Sequence, residues 1–535
     1  MSSGNSPSSA LSLRERILSG GRYLSPSHQH SARSAALLVM FAVLLSRVIG
    51  YLREAYIAYA FGAGPQTDAY VAAFTLPDWL NYLVAGGTAS ITFISIFTRY
   101  SAEGREAEAD RAFSTVITIM TAVLGVGIAL AEIFATPILR IYFHDFSPEQ
   151  LRLCVHLTRI LLPTQVFFYV GGVASAVLLS KRLFLWPAFG GVFYNLFIIL
   201  GGMVLASRVG IASLAYGALI GGIVGPFLLN VMATARTGMR YRISFHARDE
   251  GFREWVRLSI PLMLGVSLVA ADDWIMRYFA NGLAGDITRL NYAKRLLAVP
   301  IAVLGQAVGQ ATLPFFARLY GEKKMPQFSA LVNNAVYRTA ALSLIASAWM
   351  MAAALPIVDL VYRRGRFHFG DSQETAIFFF WFSLSLALWS AQGLYARAFY
   401  AAGDTFTPML AGTIVTVVSL PLYAWFFHRW LATGLTIASD LGILAHTVVL
   451  VTLLHRKRLV PLGDLPCLEF VKALIIACIA GWVAYLVGRA VVLDGSRRAD
   501  FESLGLISLT WAGAVAGGLW ITRSTLLKDL RLRQA

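Results

Sequence analysis

The chain has 535 residues, of which 57% are hydrophobic and only 14% charged, with a mean hydropathy of +0.65. A soluble chain carries about a quarter charged residues, so an ordinary soluble globular protein is excluded. The net charge of +16 does not point to nucleic acid, because the basic residues fall in short loops between apolar runs.

Many of those runs reach roughly 20 residues, enough to cross about 30 Å of hydrocarbon. They are continuous apolar blocks, not the alternating ten-residue segments of a barrel. The expectation is an all-α polytopic membrane protein, since helices satisfy their own backbone in lipid.

Residues 1–34 are Ser-rich, with Arg14, Arg16, Arg22 and Arg33, and read as a disordered basic tail. No short apolar core with a small-residue cleavage site marks them as a signal peptide. Fourteen spans are then expected, at 35–61, 68–97, 113–136, 151–179, 186–206, 210–233, 255–280, 288–316, 332–355, 375–402, 406–427, 433–454, 470–492 and 504–521. Alternate loops are basic, notably at Arg99, Arg105 and Arg111, at Lys181 and Arg182, and from Arg236 to Arg248. The positive-inside rule therefore puts both termini in the cytoplasm. The arginines at 363, 364, 366, 497 and 498 run against that pattern.

The loop from Arg236 to Arg253 divides the first twelve spans into two sets of six that resemble each other. FISIFTRYSAEG, from Phe93, ends the second span, and LPFFARLYGEK, from Leu313, ends the eighth. Six is even, so the halves share one orientation, and parallel repeats of this kind hold their site between them. The expected organisation is an N-lobe at 35–236, a cytoplasmic linker at 237–254 and a C-lobe at 255–456. Two extra C-terminal helices and a tail fill 457–535. Gly86 and Gly87, Gly171 and Gly172, Pro300 and Pro356 lie within spans and read first as close-packing positions.

Ionisable residues at bilayer depth mark functional sites by default. Arg47, Arg53, Glu54, Asp68 and Asp78 all fall in or beside the first two spans. Arg47 and Arg53 are six apart, about 120° from a shared helical face, yet long side chains from both reach a common cavity. Arginine suits a diphosphate: it stays charged and grips oxygens with a planar fork. The plainer accounts are snorkelling for Arg53 and Glu54, structural pairing for Arg47 and a helix-start acid for Asp68. Asp78 has no evident local partner, and the sequence allows a buried pair with Arg47 or Arg53 without showing one. Asp272 and Asp273 are candidates for binding a cation or proton, but neutralising Arg277 on the same helix is favoured. Lys294 reads as interfacial. Cys154, Cys467, Cys478, His156, His428 and His446 are scattered and form no metal-ligand pattern.

Three stretches resemble a known family. They are SRVIGYLREAYIAYAFGAGPQTDAYVAAFTLP from Ser46, NYAKRLLAVPIAVLGQAVGQATLPFFARLY from Asn291 and LYARAFYAAGDTFTPM from Leu394. The resemblance is to the MurJ/MviN flippases of the multidrug/oligosaccharidyl-lipid/polysaccharide exporter superfamily. It implies two six-helix lobes around a cationic cavity, with two further C-terminal helices. The cavity would take the diphosphate-linked headgroup of lipid II from the cytoplasmic leaflet and release it outside. It also implies that Arg47, Arg53, Asp68 and Arg295 form the substrate-binding set. Glu54, Asp78, Asp272 and Asp273 are then charge partners or coupling groups. The chain departs from the family pattern where Asn81 and Tyr82 stand for a basic pair, and where Gly86 and Ala298 stand for acids. A thinner charge set leaves another undecaprenyl-linked glycan as the alternative substrate.

The resulting expectation is a monomeric, non-enzymatic flippase in the bacterial inner membrane. It has no cofactor or metal, and the membrane potential or a cation is its energy source. Its partners are membrane lipids and the peptidoglycan synthesis machinery, and nucleic acid is not among them.

Overall fold

The computed structural model describes residues 32–82, 93, 96–97, 99–100, 103–181, 183–264, 268–461, 463, 467–493, 496–524 and 526. The glycines at 86 and 87, and most of the expected basic tail, lie outside these. Every element among the described residues is helical. The first half holds α1 (Ala32–Phe61), α2 (Pro65–Ala72), α3 (Thr75–Leu80), α4 (Glu106–Tyr142), α5 (Pro148–Leu161), α6 (Thr164–Ser180), α7 (Leu185–Val209), α8 (Ala212–Gly222) and α9 (Asn230–Arg236). The second half holds α10 (Glu250–Leu264), α11 (Leu268–Phe279), α12 (Asp286–Pro300), α13 (Val308–Gly321), α14 (Met325–Ala352), α15 (Ala354–Tyr362), α16 (Phe369–Leu384), α17 (Leu386–Ala401) and α18 (Phe406–Arg456). Two helices follow, α19 (Cys467–Gly488) and α20 (Arg497–Ile521), and they pack on α14 and α15.

Nine helices among the described residues are long and apolar enough to cross a membrane, or ten if the bent pair α16 and α17 is one span. Two expected spans share α18, which breaks at Trp430 and Leu431; Leu431 has φ +49°. The second span is not a continuous rod, being divided at Ala73 and Phe74. The eighth span runs α12 into a π-helical stretch, Ile301–Ala307, and on into α13. The wider turn begins right after Pro300, which lacks the N–H that regular helix needs.

Close packing accounts for Gly171 and for Gly191. A Cβ on Gly171 would lie 2.2 Å from the Pro226 carbonyl oxygen, and one on Gly191 would lie 2.7 Å from the Ser46 hydroxyl. The second of these lets α1 settle against α7, which brings Arg53 to Asn195.

The halves meet along a seam. The backbone N–H of Arg366 donates to Tyr59 O at 3.0 Å, and that of Asp145 to the Asn281 side-chain oxygen at 2.7 Å. The Tyr142 hydroxyl donates to Trp274 O at 2.5 Å. These residues end or follow the first, third, seventh and ninth spans, so all lie at one end of the bundle. At the other end Arg99 grips Glu254 through both carboxylate oxygens, at 2.9 and 2.5 Å.

Candidate functional site: a cavity lined by arginines

A cavity of about 460 Å³ lies between the halves. From α1 it is lined by Arg47, Tyr51, Arg53 and Glu54. Asp78 comes from α3, Asn195 from α7, Arg277 from α11, and Asn291 and Arg295 from α12. Four guanidinium groups thus face two carboxylates, a surplus of two positive charges. Tyr70, Tyr194 and Tyr292 supply much of the remaining wall.

The arginines differ in how they are held. Arg53 is nearly buried, ion-paired with Glu54, and donates to the Asn195 side-chain oxygen at 2.8 Å. It is fixed between α1 and α7, so the snorkelling account does not apply. Glu54 also stands 3.6 Å from Arg295 Nε, so a single buried carboxylate serves one arginine from each half. The Tyr51 hydroxyl donates to the Arg295 backbone oxygen at 2.7 Å, which ties α1 to α12. Arg295 itself keeps 53% of its side chain exposed. Arg47 is exposed to the cavity and has no carboxylate partner among the described residues, so structural pairing does not explain it.

The expected pairings change at three places. Asp78 pairs with Arg277 at 3.0 Å, not with Arg47 or Arg53. The bond joins α3 to α11, and the same guanidinium donates to Thr75 Oγ1 at 3.3 Å. Asp272 and Asp273 form no ion pair with Arg277, although Asp273 still acts on it electrostatically as the neutralisation reading expects. Both are taken by Lys294, which is not interfacial but sits between them with 20% of its side chain exposed. Asp272 accepts further bonds from the hydroxyls of Tyr423 and Ser439, which fastens α11 and α12 to α18.

Asp68 lies outside the cavity lining. It is 1% exposed. Its carboxylate accepts the backbone N–H groups of Gly285 at 2.5 Å and Thr288 at 2.9 Å, and the Thr288 hydroxyl at 2.7 Å. These are the first N–H groups of α12, which have no partner inside the helix. Gly285, at φ +89°, turns the chain into that helix. Asp68 is thus a cap supplied by the other half of the molecule. Asp68 also lies in the first turn of its own helix α2, so it complements that dipole as well as capping α12.

Sequence reasoning did not place Arg277 or Asn195 in the cavity. The second had a signal: a lone amide in the middle of the apolar α7. At the positions that depart from the family pattern, Ala298 lines the cavity, and Asn81 donates to Gln165 at 2.9 Å. The chemistry on offer is anion binding. Exposed Arg47 and Arg295 present free N–H groups, while Arg53 and Arg277 hold fixed positive charge behind them.

Known proteins are similar to this chain in sequence and in fold. A relative from Burkholderia cenocepacia, named lipid II flippase MurJ, is 28% identical over 476 residues, covering 86% of this chain and 88% of its own. A probable lipid II flippase MurJ from Rickettsia prowazekii is 26% identical over 419 residues, 77% of this chain and 82% of its own. Among solved structures, a lipid II flippase MurJ in an inward closed conformation superposes with a TM-score of 0.76 at 22% identity, covering 91% of this chain and 99% of its own. An inward-facing MATE transporter of the MOP superfamily superposes at 0.62 with 15% identity, covering 79% of this chain and 98% of its own, a likeness of fold alone. The family model for lipid II flippase MurJ matches residues 57–493, most of the sequence, and the chain belongs to that family.

Proposed function

We propose that this multi-pass membrane protein is a flippase for lipid II, the undecaprenyl-diphosphate-linked precursor of peptidoglycan, and that it works by alternating access in the bacterial inner membrane. The observation that carries the reading is the convergence of Arg47, Arg53, Arg277 and Arg295 on one cavity, from both halves, with a surplus of positive charge. A diphosphate bears about two negative charges, and fixed guanidinium groups in a water-accessible chamber offset its cost of entering the membrane. Arg47 and Arg295 are the groups that meet the diphosphate. Arg53, Arg277, Glu54 and Asp78 set the field behind them. Asp68 acts by holding the two halves together.

The halves act as lobes at 35–236 and 255–456, joined by a cytoplasmic linker at 237–254, with both termini in the cytoplasm. The seam at Asp68, Asp145 and Arg366 is then the outer gate and the Arg99–Glu254 pair belongs to the inner one. No group-transfer chemistry is needed, and no cofactor takes part. An inside-negative potential favours outward movement of an anion by roughly 2.3 kcal/mol per charge per 100 mV, and it also draws the emptied cationic cavity back.

Complementation of a strain depleted of its lipid II flippase tests the reading. The wild-type chain should restore growth. Failure of a well-expressed, membrane-inserted chain to do so would point to a different lipid-linked glycan.

A further inference from the structure

The segment that joins α9 to α10 does not loop free of the bundle. It runs back in extended form over α4. The backbone N–H of Arg242 donates to Ser114 Oγ at 3.1 Å, and that of Ser244 to Thr118 Oγ1 at 3.2 Å. The Ser244 side chain is buried against Thr115, with the two hydroxyls 2.8 Å apart, and the Tyr241 hydroxyl meets Thr118 Oγ1 at 3.1 Å. With Ser244 turned inward, Tyr241, Ile243 and Phe245 are left 50%, 75% and 66% exposed.

Depth decides what these three side chains meet. The continuous apolar stretch of α4 begins at Phe113, and Thr118 lies five residues further in, about 7.5 Å along the helix. Side chains held at that level lie at the boundary of headgroups and acyl chains, where aromatic and aliphatic groups favour lipid over water. Arg240, Arg242 and Arg248 flank them, all exposed, with no carboxylate partner among the described residues. The nearby acids form no ion pair with these three. Asp110 accepts the backbone N–H of Arg240 and attracts its guanidinium only at a distance, Asp249 accepts the N–H of Phe252, and Glu250 faces Arg105 at 3.9 Å. His246 is turned to the Ser244 hydroxyl at 3.0 Å.

We propose that residues 239–248 form an interfacial strap that binds anionic phospholipid, with Arg240, Arg242 and Arg248 on headgroup phosphates and Tyr241, Ile243 and Phe245 among the upper acyl carbons. Free arginines beside lipid-facing apolar side chains select a lipid that offers both a negative headgroup and chains. The strap joins the two halves, so lipid bound there also anchors the hinge about which they move.

A local probe tests this. Full-length protein with Ile243→Cys, in a Cys467→Ala, Cys478→Ala background, is labelled with bimane and reconstituted with brominated phosphatidylglycerol or brominated phosphatidylcholine. Both lipids should quench the label, and phosphatidylglycerol should do so at about tenfold lower mole fraction. Adding Arg240→Gln, Arg242→Gln and Arg248→Gln should make the two lipids equal, and soluble glycerol phosphate should leave the preference unchanged. Equal quenching in the parent protein would overturn the proposal. So would absence of quenching while a label at Ile479 on α19 is quenched. Loss of the preference on adding glycerol phosphate would show a soluble-anion site instead.

Discussion

Arg47 and Arg53 are the same residue type six positions apart, yet the structure gives them different jobs, and this separates activity from folding. Arg47 has no acidic partner among the described residues, so Arg47→Ala should abolish flipping in cells while leaving the thermal midpoint of the purified protein nearly unchanged. Arg53 is paired and nearly buried, and its removal leaves Glu54 short of its main partner. Breaking a buried pair costs about 3 kcal/mol or more, so Arg53→Ala should lose both activity and stability. A similar contrast applies to Asp78 and Arg277. Asp78→Asn alone should destabilise by about 1–3 kcal/mol by leaving a buried guanidinium without its charged acceptor. Asp78→Asn with Arg277→Gln should recover part of that loss, which a double-mutant cycle on thermal or denaturant unfolding would measure.

Which residues carry charge at depth was readable at this scale, because such residues are few and costly. Their partners were not. Asp78 and Arg277 are far apart in sequence, and their bond exists only once α3 faces α11. Lys294 shows the same limit: near a span end it resembles an interfacial lysine, until folding sets it between Asp272 and Asp273.

Among the elements, α12 is the one on which both halves converge. Asp68 caps its first turn, Tyr51 binds its backbone at Arg295, and Lys294 anchors it to α11. Asp68→Ala strands the N–H groups of Gly285 and Thr288 in a buried seam. An N-cap loss costs up to about 2 kcal/mol, and here it falls on the contact between halves. The expected outcome is a protein that inserts normally, melts earlier and samples the outward-open state more often. Spin labels on the Asp145 and Asn281 loops would record this as a longer distance population; an unchanged distribution would remove Asp68 from the gate. The spans themselves were legible from apolar runs, which register total length and composition. Their interruptions were less so. The break at Ala73 and Phe74 and the π-helical stretch after Pro300 are set by what packs alongside, and only the proline gave notice.

For the whole molecule, repeat resemblance and even span number suggested a central chamber between two halves before any coordinates, and the cavity lies between them. The sequence did not disclose how tightly one end is sewn, since each stitch joins residues from different halves. The surplus of positive charge has a consequence at this scale. Dissipating the membrane potential in cells, with the pH gradient held, should slow appearance of lipid II in the outer leaflet several-fold, because about two charges move with the field. Export at an undiminished rate would remove the potential as energy source.

The most direct measurement reconstitutes the purified protein in liposomes containing lipid II and follows the fraction exposed on the outer face with a membrane-impermeant enzyme that modifies its headgroup. The wild-type chain should expose the inner pool with time, and Arg47→Ala and Arg295→Ala, folded and present in equal amount, should leave that pool protected. Transfer by either variant at the wild-type rate would contradict the account, because the cavity's free guanidinium groups would then have no part in carrying the diphosphate.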